Sequence, residues 1–256
     1  MQLKGAVALV TGGGTGVGRA VSLDLARAGA KGVVINYSRS RADAESTAQE
    51  VGALGAEALP IKANVASEAE VLGMVDQAVG HFGRLDVLVN NAGTTRHIPL
   101  SDLDALTDEV WDSIFATNLR GAFYCCRAAA PHLKRSRGAI VNVASVAAFV
   151  MSGYSSLPYA CSKAALLQLT RGLAAALAPE VRVNAVCPGL VRTRWFREGL
   201  GEEAAIAAEK HVAQQTPLAD IAAPEHISQA VMGFLAGDFA TGQHLVVDGG
   251  RLGRGE

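Results

Sequence analysis

Tyr159 and Lys163 stand four residues apart inside the stretch Pro158 to Leu177, whose composition is helical. On a helix that spacing puts the phenol and the ammonium on one face, about one turn apart. A free phenol has a pKa of about 10, and a neighbouring positive charge stabilises the phenolate and draws the value toward neutrality. Such a pair can give a proton to an oxygen on which negative charge is building, and take it back in the reverse direction. Far upstream, Thr11-Gly12-Gly13-Gly14-Thr15-Gly16-Val17-Gly18 follows directly on a short apolar run. A turn of this kind between strand and helix brings backbone N–H groups and a helix N-terminus against a pyrophosphate, and glycines allow the close approach. No GxGxxG register fits these residues; the pattern is TGxxxGxG. Taken singly both features are commonplace, since Tyr and Lys at this spacing are ordinary surface neighbours and a glycine cluster is an ordinary turn.

What must hold these residues is an alternation of short Val- and Ile-rich runs with longer helical stretches. The strands expected are Ala6 to Val10, Gly32 to Asn36, Glu57 to Ile61, Asp86 to Val89, Gly138 to Ala144, Val181 to Val186 and His244 to Val247. Helices are expected at Gly16 to Ala28, Arg41 to Leu54, Glu68 to Phe82, Asp108 to Leu133, Pro158 to Leu177 and Pro224 to Leu235. Continuous apolar strands joined by helices predict βαβ units around a parallel sheet, covered on both faces and doubly wound by right-handed crossovers. No linker or repeat interrupts the pattern, so one α/β domain is expected over residues 1–256. Residues 192–217 break the rhythm between the sixth and seventh strands, and an insertion near the carboxyl ends of the strands predicts a lid.

Composition narrows the function classes. Half of the 256 residues are hydrophobic, 18% are charged, and the formal net charge is -1. That balance gives no electrostatic reason for a nucleic-acid or anionic-membrane partner, and a small molecule is the expected one. No apolar run reaches the roughly 20 residues of a membrane span. The first strand is expected so close to the start that no secretory leader is foreseen, and a cytoplasmic location follows. Cys125, Cys126, Cys161 and Cys187 have no CxxC spacing and read as reduced buried thiols. The six histidines are scattered without HExxH, so no metal site is expected.

Thr11, Gly12, Gly16 and Gly18 match the cofactor turn of the short-chain dehydrogenases/reductases, and further motifs stand in that family's order. Asn90-Asn91-Ala92-Gly93 follows the fourth strand, Asn118 lies in the long helix after it, and Ser145 ends the fifth strand. Tyr159 and Lys163 supply YxxxK, Pro188-Gly189 closes the sixth strand, and Thr241-Gly242 and Asp248-Gly249-Gly250 complete the pattern. The chain thus resembles this family over essentially its whole length, in particular its 3-oxoacyl-carrier-protein reductases and related carbonyl reductases. The resemblance implies a seven-stranded Rossmann-type sheet binding NAD(P)(H), with hydride exchange between nicotinamide and a carbonyl or secondary alcohol. It implies that Tyr159 is the acid or base and that Lys163 holds the nicotinamide ribose and passes the proton on. Ser145 would then bond the substrate oxygen and Asn118 would anchor a water of the relay. The turn Thr11, Gly12, Thr15, Gly16, Val17 and Gly18 would hold the phosphates, with Asn64 and Val65 beside adenine. Asn91, Ala92 and Gly93 would support the adenosine, and Pro188 and Gly189 would complete the cofactor site. Asn64 stands where many members have Asp. Ser145 and Tyr159 are 14 positions apart, one more than is commonest in the family, and the extra residue is expected in the Met151 to Pro158 loop.

Cofactor choice in this fold is made at the end of the second strand, where an acid would accept bonds from the ribose hydroxyls and repel a 2′-phosphate. Here Tyr37 takes the place of that acid, Ser38 can donate to a phosphate, and Arg39 can pair with it bidentately. NADP(H) is therefore expected over NAD(H), although Thr15 stands where many NADP-preferring relatives carry a second cation. The Asp108 to Leu133 and Pro158 to Leu177 helices carry apolar residues on more than one face, Trp111, Ile114, Phe115, Leu119 and Phe123 cannot all face the sheet, and family members pair these two helices between subunits, so a homotetramer is expected. His97, Trp195 and Phe196 are candidates for the substrate mouth, while Arg192, Arg194 and Arg197 read most simply as solvated charge. A ketone or 3-oxoacyl group is the foremost substrate class. A sugar, polyol or hydroxysteroid dehydrogenase is the alternative, and a non-catalytic nucleotide sensor is a remote one.

Overall fold

In the computed structural model, which describes residues 1–151 and 155–253, the chain alternates strand and helix: β1 (Val7–Val10), α1 (Gly16–Arg27), β2 (Gly32–Tyr37), α2 (Arg41–Ala53), β3 (Glu57–Lys62), α3 (Glu68–Phe82), β4 (Val87–Asn90), α4 (Asp108–Phe115), α5 (Ala122–Ser136), β5 (Ala139–Val143), α6 (Leu157–Leu177), β6 (Arg182–Pro188), α7 (Arg194–Leu200), α8 (Glu202–Gln215), α9 (Pro224–Ala236) and β7 (His244–Val247). The strands form one parallel sheet in the order β3-β2-β1-β4-β5-β6-β7. The chain winds outward from β1 to β3, returns to β4 on the other side of β1, and winds outward again. A doubly wound sheet opens its ligand crevice at that reversal, beyond the carboxyl ends of β1 and β4.

Strand periodicity builds two cores. In β1, Ala8 and Val10 join Val21 and Leu25 of α1, Val51 of α2 and Ile227, Val231 and Leu235 of α9. Val7 and Leu9 point the other way and join Met74 and Phe82 of α3, Leu133 of α5 and Leu177 of α6. Both faces of the central strands are apolar because helices cover both. Among the described residues, no helix is long and apolar enough to cross a membrane.

Strand ends shift by one or two residues from the sequence expectation. A larger difference lies in the single helix expected from Asp108 to Leu133. It is divided by a π-helical turn at Ala116–Gly121 and runs on to Ser136. Gly121 packs against Val65 so closely that a Cβ would lie 2.9 Å from both Val65 Cγ2 and its carbonyl oxygen. The inserted segment is likewise two helices, α7 and α8, divided at Gly201, whose φ of +83° is accessible chiefly to glycine. Phe196, Ala205 and Ala208 give it a small core separate from the main ones. Residues 152–154 of the Met151 to Pro158 loop, where the extra residue is expected, lie outside the described residues.

Across the middle of the sheet runs a buried polar chain. Asn90 Nδ2 donates to Asn142 Oδ1 (2.9 Å) and contacts Cys126 Sγ (3.2 Å), while Asn142 Nδ2 donates to Thr170 Oγ1 (2.8 Å) on α6.

Candidate active site

The end of β5 and the start of α6 bring Ser145, Tyr159 and Lys163 together. Ser145, in extended conformation, caps the short 3-10 turn Val146–Ala148 by accepting from Ala147 N (3.1 Å). Its hydroxyl lies beside the Tyr159 phenol, close enough to favour the phenolate. Lys163 is buried, and its Nζ donates to the Val143 carbonyl at the end of β5 (2.8 Å). The helical spacing holds Nζ 5.6 Å from the Tyr159 ring centroid, over the ring.

Burial dominates the electrostatics. It pushes Lys163 down to about 8, because a charge removed from water is disfavoured. It pushes the Tyr159 phenol up to about 12 against the opposing hydrogen bond from Ser145. The expected lowering of the phenol by Lys163 is thus absent from the chain itself: the ammonium lies over the ring, and desolvation outweighs it. Tyr159 is held as a neutral hydrogen-bond donor. Cys187, beside Lys163, is pushed up to about 12 by burial and stays a thiol. All four cysteines are free, and three are buried.

Asn118 sits in the π-helical turn, a feature frequent at functional sites. Both of its amide hydrogens are engaged, by Thr94 O (3.0 Å) and Ser162 Oγ (3.0 Å), and its Oδ1 accepts from Thr94 N (2.8 Å). Ser162 in turn donates to the Tyr159 carbonyl (2.7 Å). Asn118 therefore fixes the loop after β4 to the first turn of α6. The sequence reading missed Ser162 and Thr94, both too ordinary in their settings to signal this linkage.

The glycine turn is shaped by its neighbours. Thr11 Oγ1 accepts from Asn91 N (2.9 Å) and Ala92 N (3.0 Å), and Asn91 Nδ2 donates to the Thr11 and Gly12 carbonyls (3.0 and 3.1 Å). A Cβ on Gly18 would lie 2.1 Å from Gly12 O. Gly12 and Gly16 have φ of +61° and +50°. Thr15 begins α1 without a side-chain capping bond, and Gly16, Val17 and Gly18 open a helix whose first turn carries no acid. A helix N-terminus opening on a glycine cradle suits a pyrophosphate, so the residues present fit a dinucleotide. Asn36, also missed, accepts from Gly12 N (3.3 Å) and donates to Ala63 O (2.9 Å), fastening the turn to the ends of β2 and β3. A buried Asn ending an apolar strand was its available signal.

Ser38 and Arg39 are exposed after β2, and Asn64 is exposed after β3 with its Oδ1 accepting from Ala66 N (3.1 Å). Val65 is buried against Gly121. Gly93 faces Lys163, whose Nζ would lie 3.7 Å from a Cβ there. Pro188 is buried, and Gly189 packs on Asp248, leaving no room for a side chain. These residues line the carboxyl edge of β1, β2, β3, β4 and β6.

The inserted helices lie over this edge. The Trp195 ring is half-exposed, 6.3 Å from that of Tyr159, whereas Phe196 is buried in the segment's own core. His97 packs beneath α7 against Phe196 and Gly199. The three arginines are ion-paired, in contrast to the solvated charge expected: Arg192 with Asp220 and Glu209, Arg194 with Asp43 and Glu198, and Arg197 with Glu202 and Glu209. No grouping of three or more metal-ligating side chains occurs among the described residues.

Residues 6–203 match the family model described as short chain dehydrogenase. The chain is 47% identical over 245 residues, covering 95% of both chains, to the "Granaticin polyketide synthase putative ketoacyl reductase 2" of Streptomyces violaceoruber. It is 38% identical over 248 residues, covering 95% of this chain and 96% of the other, to the 3-oxoacyl-[acyl-carrier-protein] reductase FabG of Staphylococcus aureus. Among solved structures it is similar to a short-chain type dehydrogenase/reductase from Mycobacterium marinum, with TM-score 0.87 and 33% identity over 98% of this chain and 96% of that one.

Proposed function

This chain belongs to the short-chain dehydrogenase/reductase family and is an NAD(P)(H)-dependent oxidoreductase acting between carbonyl and alcohol; we propose that it reduces the ketone of a 3-oxoacyl group, with NADP(H) preferred. The observation that carries the reading is the gathering of Ser145, Tyr159 and buried Lys163, whose Nζ lies over the Tyr159 ring, at the sheet edge that also bears the glycine turn. The two relatives named as ketoacyl or 3-oxoacyl reductases support the substrate class.

Thr11, Gly12, Thr15, Gly16, Val17 and Gly18 hold the pyrophosphate, Asn64 and Val65 flank adenine, and Asn91, Ala92, Gly93, Pro188 and Gly189 shape the remaining wall. When bound, the nicotinamide supplies the hydride in reduction and accepts it in oxidation. The Ser145 hydroxyl and the Tyr159 phenol converge on the ketone oxygen and donate to it as it gains charge. Tyr159 then surrenders its proton to that oxygen, completing the alcohol. A phenol held near 12 is a proton donor and a poor phenolate, so Lys163, charged below about 8, stabilises the phenolate that forms. Lys163 also holds the nicotinamide ribose. The engaged side chain of Asn118 leaves its main chain as the group that anchors a relay water.

Residues 192–217 act as the substrate lid, with Trp195 over Tyr159 as an apolar wall. The absence of an acid after β2, with Ser38 and Arg39 exposed there, supports the NADP(H) preference. Apolar side chains on several faces of α4 and α5 support a homotetramer, and free cysteines support a cytoplasmic site. The test is kcat/KM for a 3-oxoacyl thioester, a simple ketone, a sugar alcohol and a hydroxysteroid, with each cofactor, for the parent and Arg39→Ala. Highest turnover is expected for the 3-oxoacyl thioester with NADPH, and Arg39→Ala should reduce the cofactor preference. Turnover confined to the polyol or the steroid would overturn the substrate assignment.

A further inference from the structure

Arg194 opens α7 and reaches across the nucleotide crevice to a carboxylate 151 positions away in sequence. Its Nη1 and Nη2 donate to Asp43 Oδ1 and Oδ2 at 3.2 and 2.9 Å. Asp43 lies in the first turn of α2, which starts two residues after Arg39. That turn forms one wall with the glycine loop: Ala44 packs beneath Gly14, leaving 2.8 Å between its Cα and a Cβ built on Gly14, and Thr47 donates to Gly14 O (3.0 Å). Thr193, just before Arg194, touches the opposite end of the same loop, with Cγ2 3.3 Å from a Cβ built on Gly16. Arg194 and Thr193 also line an open depression of about 610 Å³.

This wall is where the 2′-phosphate of NADP(H) is placed by the reading above. Asp43 is suited to a helix N-terminus but opposes a dianion arriving beside Ser38 and Arg39. The other charges around it are Arg41, paired with Glu45, and Glu198, which accepts from Arg194 Nε (2.9 Å). The glycine turn contributes no cation, since Thr15 is neutral. Something must neutralise Asp43, and the group that touches it is Arg194.

We infer that Arg194, carried in by the inserted helices, is a cofactor-specificity residue: it screens Asp43, whose charge would otherwise repel the 2′-phosphate. The inference rests on the NADP(H) reading. A planar guanidinium suits the task because it holds the carboxylate with two parallel donors.

Calorimetric binding of adenosine 2′,5′-bisphosphate and of adenosine 5′-monophosphate, which differ by that phosphate, tests the idea without turnover. Arg194→Ala should weaken the bisphosphate about tenfold while leaving the monophosphate within about twofold, and Arg194→Lys should retain part of the loss. Asp43→Asn removes the opposing charge and should strengthen the bisphosphate about threefold. A merely structural strap predicts otherwise: Arg194→Ala and Asp43→Asn would weaken both ligands alike, and that result, or no effect of Arg194→Ala, overturns the inference. Arg39→Ala is the internal control. If it abolishes discrimination while Arg194→Ala does not, the NADP(H) reading stands and this one falls. A parent that binds both ligands equally refutes the two together.

Discussion

Replacing Lys163 with Met separates the catalytic charge from the shape that carries it. Burial lowers this amine from 10.5 to about 8, and a shift of that size corresponds to about 3 kcal/mol of stability lost by keeping the amine charged in the fold at neutral pH. Because the folded value lies below the unfolded one, the unfolded chain binds more protons between them. The penalty is full below about 8 and is relieved as pH rises to about 10.5. Near pH 10 only about 1 kcal/mol of it remains. Met fills a similar volume without the charge, but leaves the Val143 carbonyl without its donor, which costs about 1–3 kcal/mol. Lys163→Met should therefore match or exceed the parent in stability at about pH 7 and fall below it at about pH 10, a relative change of about 2–3 kcal/mol. Tyr159 and Cys187, both pushed up to about 12 from 10.0 and 9.0, stay protonated in the fold while the unfolded chain loses their protons. That costs stability as pH rises, but equally in both proteins, so the difference between them is unaffected. Urea unfolding of both proteins at the two pH values measures it, and the same preparations should show loss of reductase turnover. A constant deficit in the variant at both pH values would show that Lys163 is not buried as a disfavoured charge, and the argument would fail.

Three further outcomes follow from the site and its supports. Tyr159→Phe should keep its affinity for adenosine 5′-monophosphate and lose about 10²–10⁴-fold in kcat, and activity within a few-fold of the parent would remove Tyr159 from proton transfer. Gly18→Ala should destabilise the protein by about 1–3 kcal/mol in urea and weaken nucleotide binding, because its Cβ would lie 2.1 Å from Gly12 O; an equally stable variant would mean the turn is slack. Light scattering should report a tetramer, and a monomer at micromolar concentration would refute the pairing of α4, α5 and α6 between subunits.

The parts of this molecule legible in sequence are those set by a short period or by sterics. Alternation at spacing two in β1 sends Ala8 and Val10 to one core and Leu9 to the other, and a spacing of four unites Tyr159 with Lys163. Gly18 was readable because its need for close approach leaves no other residue type. The π-helical turn was not: nothing in Ala116–Gly121 distinguishes a widened turn from an α-helical one, and the contact of Gly121 with Val65 joins segments distant in sequence. The phenol's pKa was also illegible, since spacing reports a nearby charge but not the desolvation that outweighs it. Arg194 and Asp43 meet only because the sheet folds two distant segments onto one edge.

The polar chain through Asn90, Asn142 and Thr170 has a consequence for how the parts of the site keep their distance. Asn90 and Asn142 are direct partners in the ladder of β4 and β5, so a slip of one residue would turn one of them to the opposite face and strand its amide in a dry interior. Sliding of these strands is therefore admitted only in whole steps, each of which breaks buried hydrogen bonds on both sides. Since β4 leads to Asn91, which is bonded to the glycine turn, and β5 leads to Ser145, the sheet works as an indexed ruler. The separation between phosphate cradle and proton donor is fixed in units of one residue, and thermal motion cannot tune it continuously.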